Sequence, residues 1–94
     1  SLDDAGLMQR SRALSLSAQV AYQRGDVGGA EGLYRQAMAG TAEAIERSPN
    51  DPQRLFDHAQ NMFWIGEIAR SNGRLDESER AHRDYRRLAE AMVR

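Results

Sequence analysis

The apolar residues of this chain recur every three to four positions in four segments, which is the spacing of an amphipathic helix. No segment alternates apolar and polar residues for long, and β-branched residues are scarce, so strands are disfavoured. The pattern predicts helices at about Asp3–Arg24, Val27–Ser48, Pro52–Asn72 and Leu75–Arg94. The third is apolar nearly all round between Met62 and Ala69, so we expect it to be the central and most buried helix.

Glycine and proline mark where the predicted helices end and begin. Gly25 and Gly73 each follow a helical segment, and a glycine in the left-handed conformation commonly ends a helix. Asp26 is then placed to cap the second helix. Pro49 stops that helix, because the residue before a proline avoids the α conformation. The run Asn50-Asp51-Pro52 is a start signal, in which a capping side chain precedes a proline at the first helical position.

The second half of the chain repeats part of the first half. A single shift along the chain aligns several identical residues, among them Ala21 with Ala69, Gly25 with Gly73, Glu31 with Glu79 and Arg35 with Arg83. The matches are few, but they agree with the helix–glycine–helix order. We therefore interpret the chain as a single helical domain, residues 1–94, with repeats at about 3–48 and 52–94.

The residues around these glycines resemble the tetratricopeptide repeat family, in which each repeat is a pair of antiparallel helices. In the first half, the small and aromatic positions of the family are matched by Ala18, Gly25, Ala30, Tyr34 and Ala37. In the second half, Gly66 and Gly73 match and Ser78 is small, whereas His82 and Tyr85 replace an aromatic residue and an alanine. The family's repeats recur about every 34 residues. The shift that carries Gly25 onto Gly73 is longer than this, which indicates a divergent version of the repeat with longer helices.

The expected fold is therefore all-α, with four long antiparallel helices that form two hairpins like those of tetratricopeptide repeats. An up-down four-helix bundle is the alternative. The second helix also carries several glycines, each of which costs roughly 1 kcal/mol in a helix interior. Gly28 and Gly32 form a small-xxx-small pair, which we interpret as a sign of tight helix packing, with fraying of the start of this helix as the alternative.

Composition narrows the function classes. The chain has 94 residues, 40% hydrophobic and 29% charged, which fits one modest soluble domain. The net charge of -1 gives no global attraction to nucleic acid or an anionic membrane. No apolar run is long enough to span a bilayer and no signal peptide is visible, so we expect a cytoplasmic fragment of a larger protein.

Catalytic and ligand-binding signatures are lacking. There is no cysteine, and the two histidines, His58 and His82, do not form a spaced ligand set. The glycine-rich start of the second helix has neither a preceding strand nor the lysine of a phosphate-binding loop. We therefore expect no enzyme activity, no metal and no cofactor.

Arginines line one face of the fourth helix and are interspersed with acidic residues. We interpret this row as a solvated face, with an acidic partner or nucleic acid as the alternative. The arginines on this face are Arg80, Arg83, Arg87 and Arg94, with Arg86 adjacent.

The neighbouring aromatic residues Phe63 and Trp64 point about 100° apart on a helix, so both cannot enter one core layer. One is expected inside and the other at a partner surface. Packing of both against neighbours on two sides is the alternative.

The resemblance implies a groove lined by the first helix of each repeat. Carried over by position, it nominates Arg12, Ser15, Gln19 and Tyr22 from the first helix, and Gln60, Phe63, Glu67 and Arg70 from the third. An aromatic anchor, amides and charges of both signs suit a peptide groove.

The resulting functional hypothesis is a scaffold that binds a peptide or partner protein. The alternative is a self-associating domain that multimerises an attached effector or regulator. A related expectation concerns the fourth helix, whose apolar stripe around Leu88, Met92 and Val93 should be partly exposed in a monomer.

Overall fold

A computed structural model describes residues 3–93 of the chain, and these residues form four helices. The helices are α1 (Asp4–Gln23), α2 (Val27–Arg47), α3 (Pro52–Ser71) and α4 (Leu75–Met92). No strand occurs within residues 3–93, so the predicted all-α fold is confirmed. The predicted bounds are reproduced to within one or two positions, and Arg94 lies outside the described residues.

The turns after α1 and α3 are built in the same way. Gly25 and Gly73 take the left-handed φ values of 84° and 78°, as the sequence predicted. Just after them, Asp26 donates its amide to the carbonyl of Ala21 at 2.9 Å, and Arg74 donates to that of Ala69 at 2.8 Å. This pattern is a Schellman cap. The two caps are equivalent under the shift that aligns Gly25 with Gly73, and the division of the chain into two repeats remains an interpretation.

Aspartate side chains cap the starts of three helices, α1, α2 and α3. Asp26 accepts the amide of Gly29 at 2.9 Å at the start of α2. Asp51 accepts the amide of Gln53 at 2.9 Å at the start of α3. Each cap satisfies a backbone donor that has no partner within the helix. The capping residues that the sequence indicated for α2 and α3 are therefore confirmed.

The helices pack in an open succession. α1 packs on α2, α2 on α3, and α3 on α4, while α1 and α4 share no extensive contact in the part of the chain that the structure describes. The Cα atoms extend over 34 × 27 × 18 Å, so the domain is two helices deep in its thinnest direction. In a closed four-helix bundle the first and last helices would be neighbours, which they are not here.

The core lies along α3. Eight of its residues are buried, against six in α2, three in α1 and one in α4. The prediction that the third helix is the most buried is confirmed. Ile68 is fully enclosed, and it packs with Ala18, Ala30, Tyr34 and Ile65 in the main apolar cluster.

Glycines permit close helix contacts at two positions, but not at the predicted pair. A Cβ atom added to Gly40 would overlap Ser11 Oγ, so α1 and α2 nearly touch there. A Cβ atom added to Gly66 would lie 3.1 Å from Ala81 Cβ on α4. Gly28 and Gly32 are exposed with open space beside them, so the tight packing expected there is wrong. Their side of α2 faces solvent.

α4 is the least covered helix. Leu88 and Met92 are only half-buried, and Val93 is 86% exposed. Ser78 is the one buried residue of this helix. The expected partial exposure of the apolar stripe on α4 is thus confirmed.

Candidate partner-binding groove

Side-chain contacts join α1 to α3 along one face of the domain. Arg12 Nε lies 3.3 Å from Asp57 Oδ2, and Ser15 Oγ donates to Asn61 Oδ1 at 2.7 Å. Both pairs connect the first hairpin (α1 and α2) to the second (α3 and α4). The two helices therefore form the walls of a shared groove.

A cavity of about 290 Å³ opens in this groove. Ser11, Arg12, Ser15 and Leu16 of α1, Thr41 of α2, and Asp57 and Gln60 of α3 line it. Its volume is near the lower limit of small-molecule pockets, so it suits one or two side chains rather than a cofactor. The Arg12–Asp57 ion pair lies at its rim, with Arg12 54% exposed and Asp57 16% exposed.

A second, shallower hollow continues the groove towards the starts of α1 and α3. It measures about 730 Å³ and is lined on α1 by Met8, Arg12 and Leu16 among others, and on α3 by Gln53 and Arg54. Arg12 and Leu16 border both hollows. The groove thus combines an apolar wall with an exposed guanidinium.

The floor of the groove is a polar network shared by three helices. Asn61 Nδ2 donates to Thr41 Oγ1 at 3.5 Å, and Thr41 Oγ1 donates to the carbonyl of Met38 at 3.1 Å. Thr41 Oγ1 also lies 2.7 Å from His58 Nδ1. Because the threonine hydroxyl has one proton and donates it to Met38, the His58 ring is assigned as donor through Nδ1. Burial lowers the pKa of His58, so its neutral form is favoured.

The structure brings some of the predicted groove residues together. Arg12, Ser15 and Gln60 line the same cavity. Gln19 is exposed on α1. Tyr22 is half-buried, and its ring centroid lies 5.3 Å from that of Trp64.

The remaining predicted residues turn towards α4 or lie beside it. The Phe63 ring centroid is 5.7 Å from those of both His82 and Tyr85 on α4. Glu67 Oε2 lies 2.9 Å from His82 Nε2, and Arg70 Nη2 donates to Glu67 Oε1 at 2.8 Å. The hydrogen bond from Arg70 is the main cause of a lowered pKa at Glu67. Three of the eight predicted residues therefore line the α1–α3 cavity and three lie at or beside the α3–α4 contact, whereas Gln19 and Tyr22 belong to neither set.

Phe63 and Trp64 both pack against neighbours, on two sides of α3. Trp64 is half-buried beside Tyr22 and stacks on Tyr34 at 6.2 Å, against the main core. Phe63 is half-buried beside α4. The sequence left two arrangements open, and the structure has the one in which both aromatic residues pack against neighbours.

Four residues that line the cavity were not predicted: Ser11, Leu16, Thr41 and Asp57. Leu16 and Asp57 carry a usable signal, because Leu16 lies four positions from Arg12 and Asp57 three from Gln60, on the same helix faces. Thr41 carries none, since it belongs to α2 and reaches the groove only through helix packing.

An ion-pair cluster closes the end of the groove. Asp4 accepts hydrogen bonds of 2.9 Å from both Arg47 and Arg54. The Arg54 side chain is 10% exposed and also donates to the carbonyl of Ala44 at 2.7 Å. The hydrogen bond from Arg47 is the main cause of a lowered pKa at Asp4. This cluster ties together the start of α1, the end of α2 and the start of α3.

Within residues 3–93, no group of three or more histidine, aspartate or glutamate side chains is arranged to hold a metal ion. None of the four helices over this range is long and apolar enough to cross a membrane.

No family model, curated protein or solved structure matches the chain. The resemblance to tetratricopeptide repeats therefore rests on the residues quoted from the sequence.

Proposed function

We propose that this chain is a protein-interaction module that receives a peptide segment of a partner protein in the α1–α3 groove. The observation that carries the proposal is the cavity between Arg12, Ser15 and Gln60. Its size fits one or two side chains of a peptide. The resemblance to tetratricopeptide repeats, which bind partners along the equivalent helices, supports the same assignment.

The chemistry of the groove defines the peptide that it would bind. Leu16 is 64% exposed beside the cavity, so an apolar anchor residue of the peptide would cover surface that water now contacts. The Gln60 amide at the rim can both donate to and accept from a peptide backbone. Within residues 3–93 the Arg12 guanidinium contacts Asp57 through Nε, so its remaining N–H donors can bind a carbonyl or carboxylate next to the anchor.

The proposal is tested with a displayed library of random peptides. Peptides selected by the chain should share one apolar residue with a polar or acidic neighbour. A labelled selected peptide is then titrated by fluorescence anisotropy. The variant Gln60→Tyr, which fills the cavity from its rim, should weaken binding about tenfold or more, a loss of about 1.4 kcal/mol.

The matched control is Gln36→Tyr, the same change at an exposed position of α2 that lies outside the groove. It should leave the affinity unchanged. Equal binding by the Gln60 variant and the parent chain, or failure to select any peptide, would contradict the proposal.

A further inference from the structure

The two hairpins are related by a constant shift along the chain. The shift that carries the first residue of α1, Asp4, onto that of α3, Pro52, also carries their last residues, Gln23 and Ser71, onto each other. The same shift carries the start of α2 onto the start of α4. Each residue from Asp4 to Ile45 therefore has a counterpart among the described residues of the second hairpin. This relation allows the internal contact between the hairpins to be compared with the surfaces that remain open.

The residues of α3 that face the first hairpin have exposed counterparts on α1. Asn61 and Ile68 are buried and Trp64 is half-buried, whereas Leu16 is 64% and Val20 46% exposed. We call these α1 residues the leading face: Gln9, Ala13, Leu16 and Val20, the counterparts of Asp57, Asn61, Trp64 and Ile68.

The first hairpin contacts α3 through residues that also have counterparts, on the open side of the second hairpin. Ser15 and Thr41 bind Asn61, and Tyr34 stacks on Trp64. We call their counterparts the trailing face: Phe63, Ala89 and His82. All three are only half-buried.

The leading and trailing faces are chemically matched. Inside the chain, Ser15, Thr41 and Asn61 form a hydrogen-bonded polar group at the hairpin contact. At the corresponding positions of the open faces stand Phe63, Ala89 and Ala13, which are all apolar. In a contact between the two open faces, apolar residues would stand in the places of all three polar partners. None of these three positions would then bury a polar side chain without a hydrogen bond.

We propose that the leading face of one copy docks on the trailing face of a second copy of this chain. The contact would continue the packing that joins the two hairpins within one copy, and it goes beyond binding of a peptide in the groove. Because Leu16 belongs both to the leading face and to the groove, a docked copy and a bound peptide would compete for it. Because the two faces differ, the association is head-to-tail and can continue to further copies. Apolar surface at Leu16 and Val20 would then be removed from water.

Disulfide trapping tests the register directly, since the chain has no cysteine of its own. Ala13 and Ala89 are the counterparts of Asn61 and Thr41, whose side chains touch, so cysteines there should pair between copies. Chains carrying Ala13→Cys and Ala89→Cys are mixed and oxidised. The mixed dimer should exceed either symmetric dimer several-fold, and a chain carrying both cysteines should give a ladder of covalent oligomers.

Light scattering over a range of concentrations supplies the second measurement. The mass of the parent chain should rise with concentration, and Val20→Asp should weaken association about tenfold or more. Leu75→Asp is the matched control, because Leu75 is 59% exposed but belongs to neither face. Val20 borders neither hollow of the groove, so this variant should still bind a selected peptide.

A monomeric mass at every concentration would overturn the proposal, even if peptide binding in the groove were intact. Symmetric dimers of the Ala13→Cys chain alone would also overturn it, because they would show a contact between two leading faces. Circular dichroism of each variant confirms that the helices are retained.

Discussion

Ser15 and Asn61 lie in different hairpins, and the Ser15 hydroxyl donates a hydrogen bond of 2.7 Å to Asn61 Oδ1. Asn61 is 1% exposed at the middle of the most buried helix. A buried amide with partners on two other helices holds α1, α2 and α3 in one register. It also explains how an asparagine is accommodated among apolar neighbours.

The first prediction concerns this asparagine. Asn61→Ala leaves the partly buried Ser15 hydroxyl without its acceptor, so it should lower the free energy of unfolding by about 1–3 kcal/mol. Its exposed neighbour Gln60, changed to alanine, should alter stability by no more than about 0.5 kcal/mol. Urea denaturation of both variants measures the difference. Equal losses would mean that the network does not stabilise the fold.

The second prediction contrasts two glycines of α2. Gly40→Ala places a Cβ atom on top of Ser11 Oγ, so the buried Ser11 side chain must turn away. The overpacking cost of about 1–3 kcal/mol should at least cancel the gain of about 1 kcal/mol in helix propensity, so this variant should not be more stable than the parent chain. Gly32→Ala meets no atom within 4 Å and should stabilise the domain by about 0.5–1 kcal/mol.

The double variant Ser11→Ala with Gly40→Ala is the control for this contact. Removal of the Ser11 hydroxyl takes away the closest atom and leaves Ser11 Cβ at 3.3 Å, so the pair should recover most of the lost stability. Thermal denaturation of the three variants measures these differences in stability. A stabilising effect of Gly40→Ala alone would contradict the close approach of α1 and α2.

The third prediction concerns acid stability. The hydrogen bonds from Arg47 and Arg54 lower the pKa of Asp4 below 3.8, its ordinary value. A lowered carboxyl pKa contributes stability above the ordinary value, and this contribution is lost as the pH falls through the folded-state value. In the Asp4→Asn variant, the free energy of unfolding should therefore fall less steeply with decreasing pH below 3.8 than in the parent chain. Urea denaturation at a series of acid pH values measures the profile, and a profile of the Asp4 variant that matches that of the parent chain would contradict the prediction.

The fourth prediction concerns His58, whose pKa burial lowers below 6.5. Between the folded-state pKa and 6.5 the unfolded chain binds more protons, so stability should fall as the pH decreases through this window. His58→Gln can still donate to Thr41 and should remove this part of the pH dependence. Urea denaturation at a series of pH values checks it, with His82→Gln as a control that retains His58. An unchanged profile in the His58 variant would contradict the prediction.

The sequence by itself determined where the helices begin and end. Gly25 and Gly73 end α1 and α3, and Asp51 and Pro52 begin α3, as the residues predicted. These features were predictable because capping and left-handed glycine act within a few residues of the chain. The apolar run from Met62 to Ala69 likewise identified α3 as the central helix, since only a helix covered on several sides accommodates such a run.

The tertiary structure alone decided which side chains meet between helices. Gly40 touches α1 whereas Gly32 faces solvent, and Phe63 turns to α4 whereas Gln60 lines the groove with Arg12. Spacing along one helix assigns a residue to a face, but the partner of that face depends on the angle and register at which two helices cross. Those quantities result from the packing of all four helices together, so no local pattern in the sequence carries them.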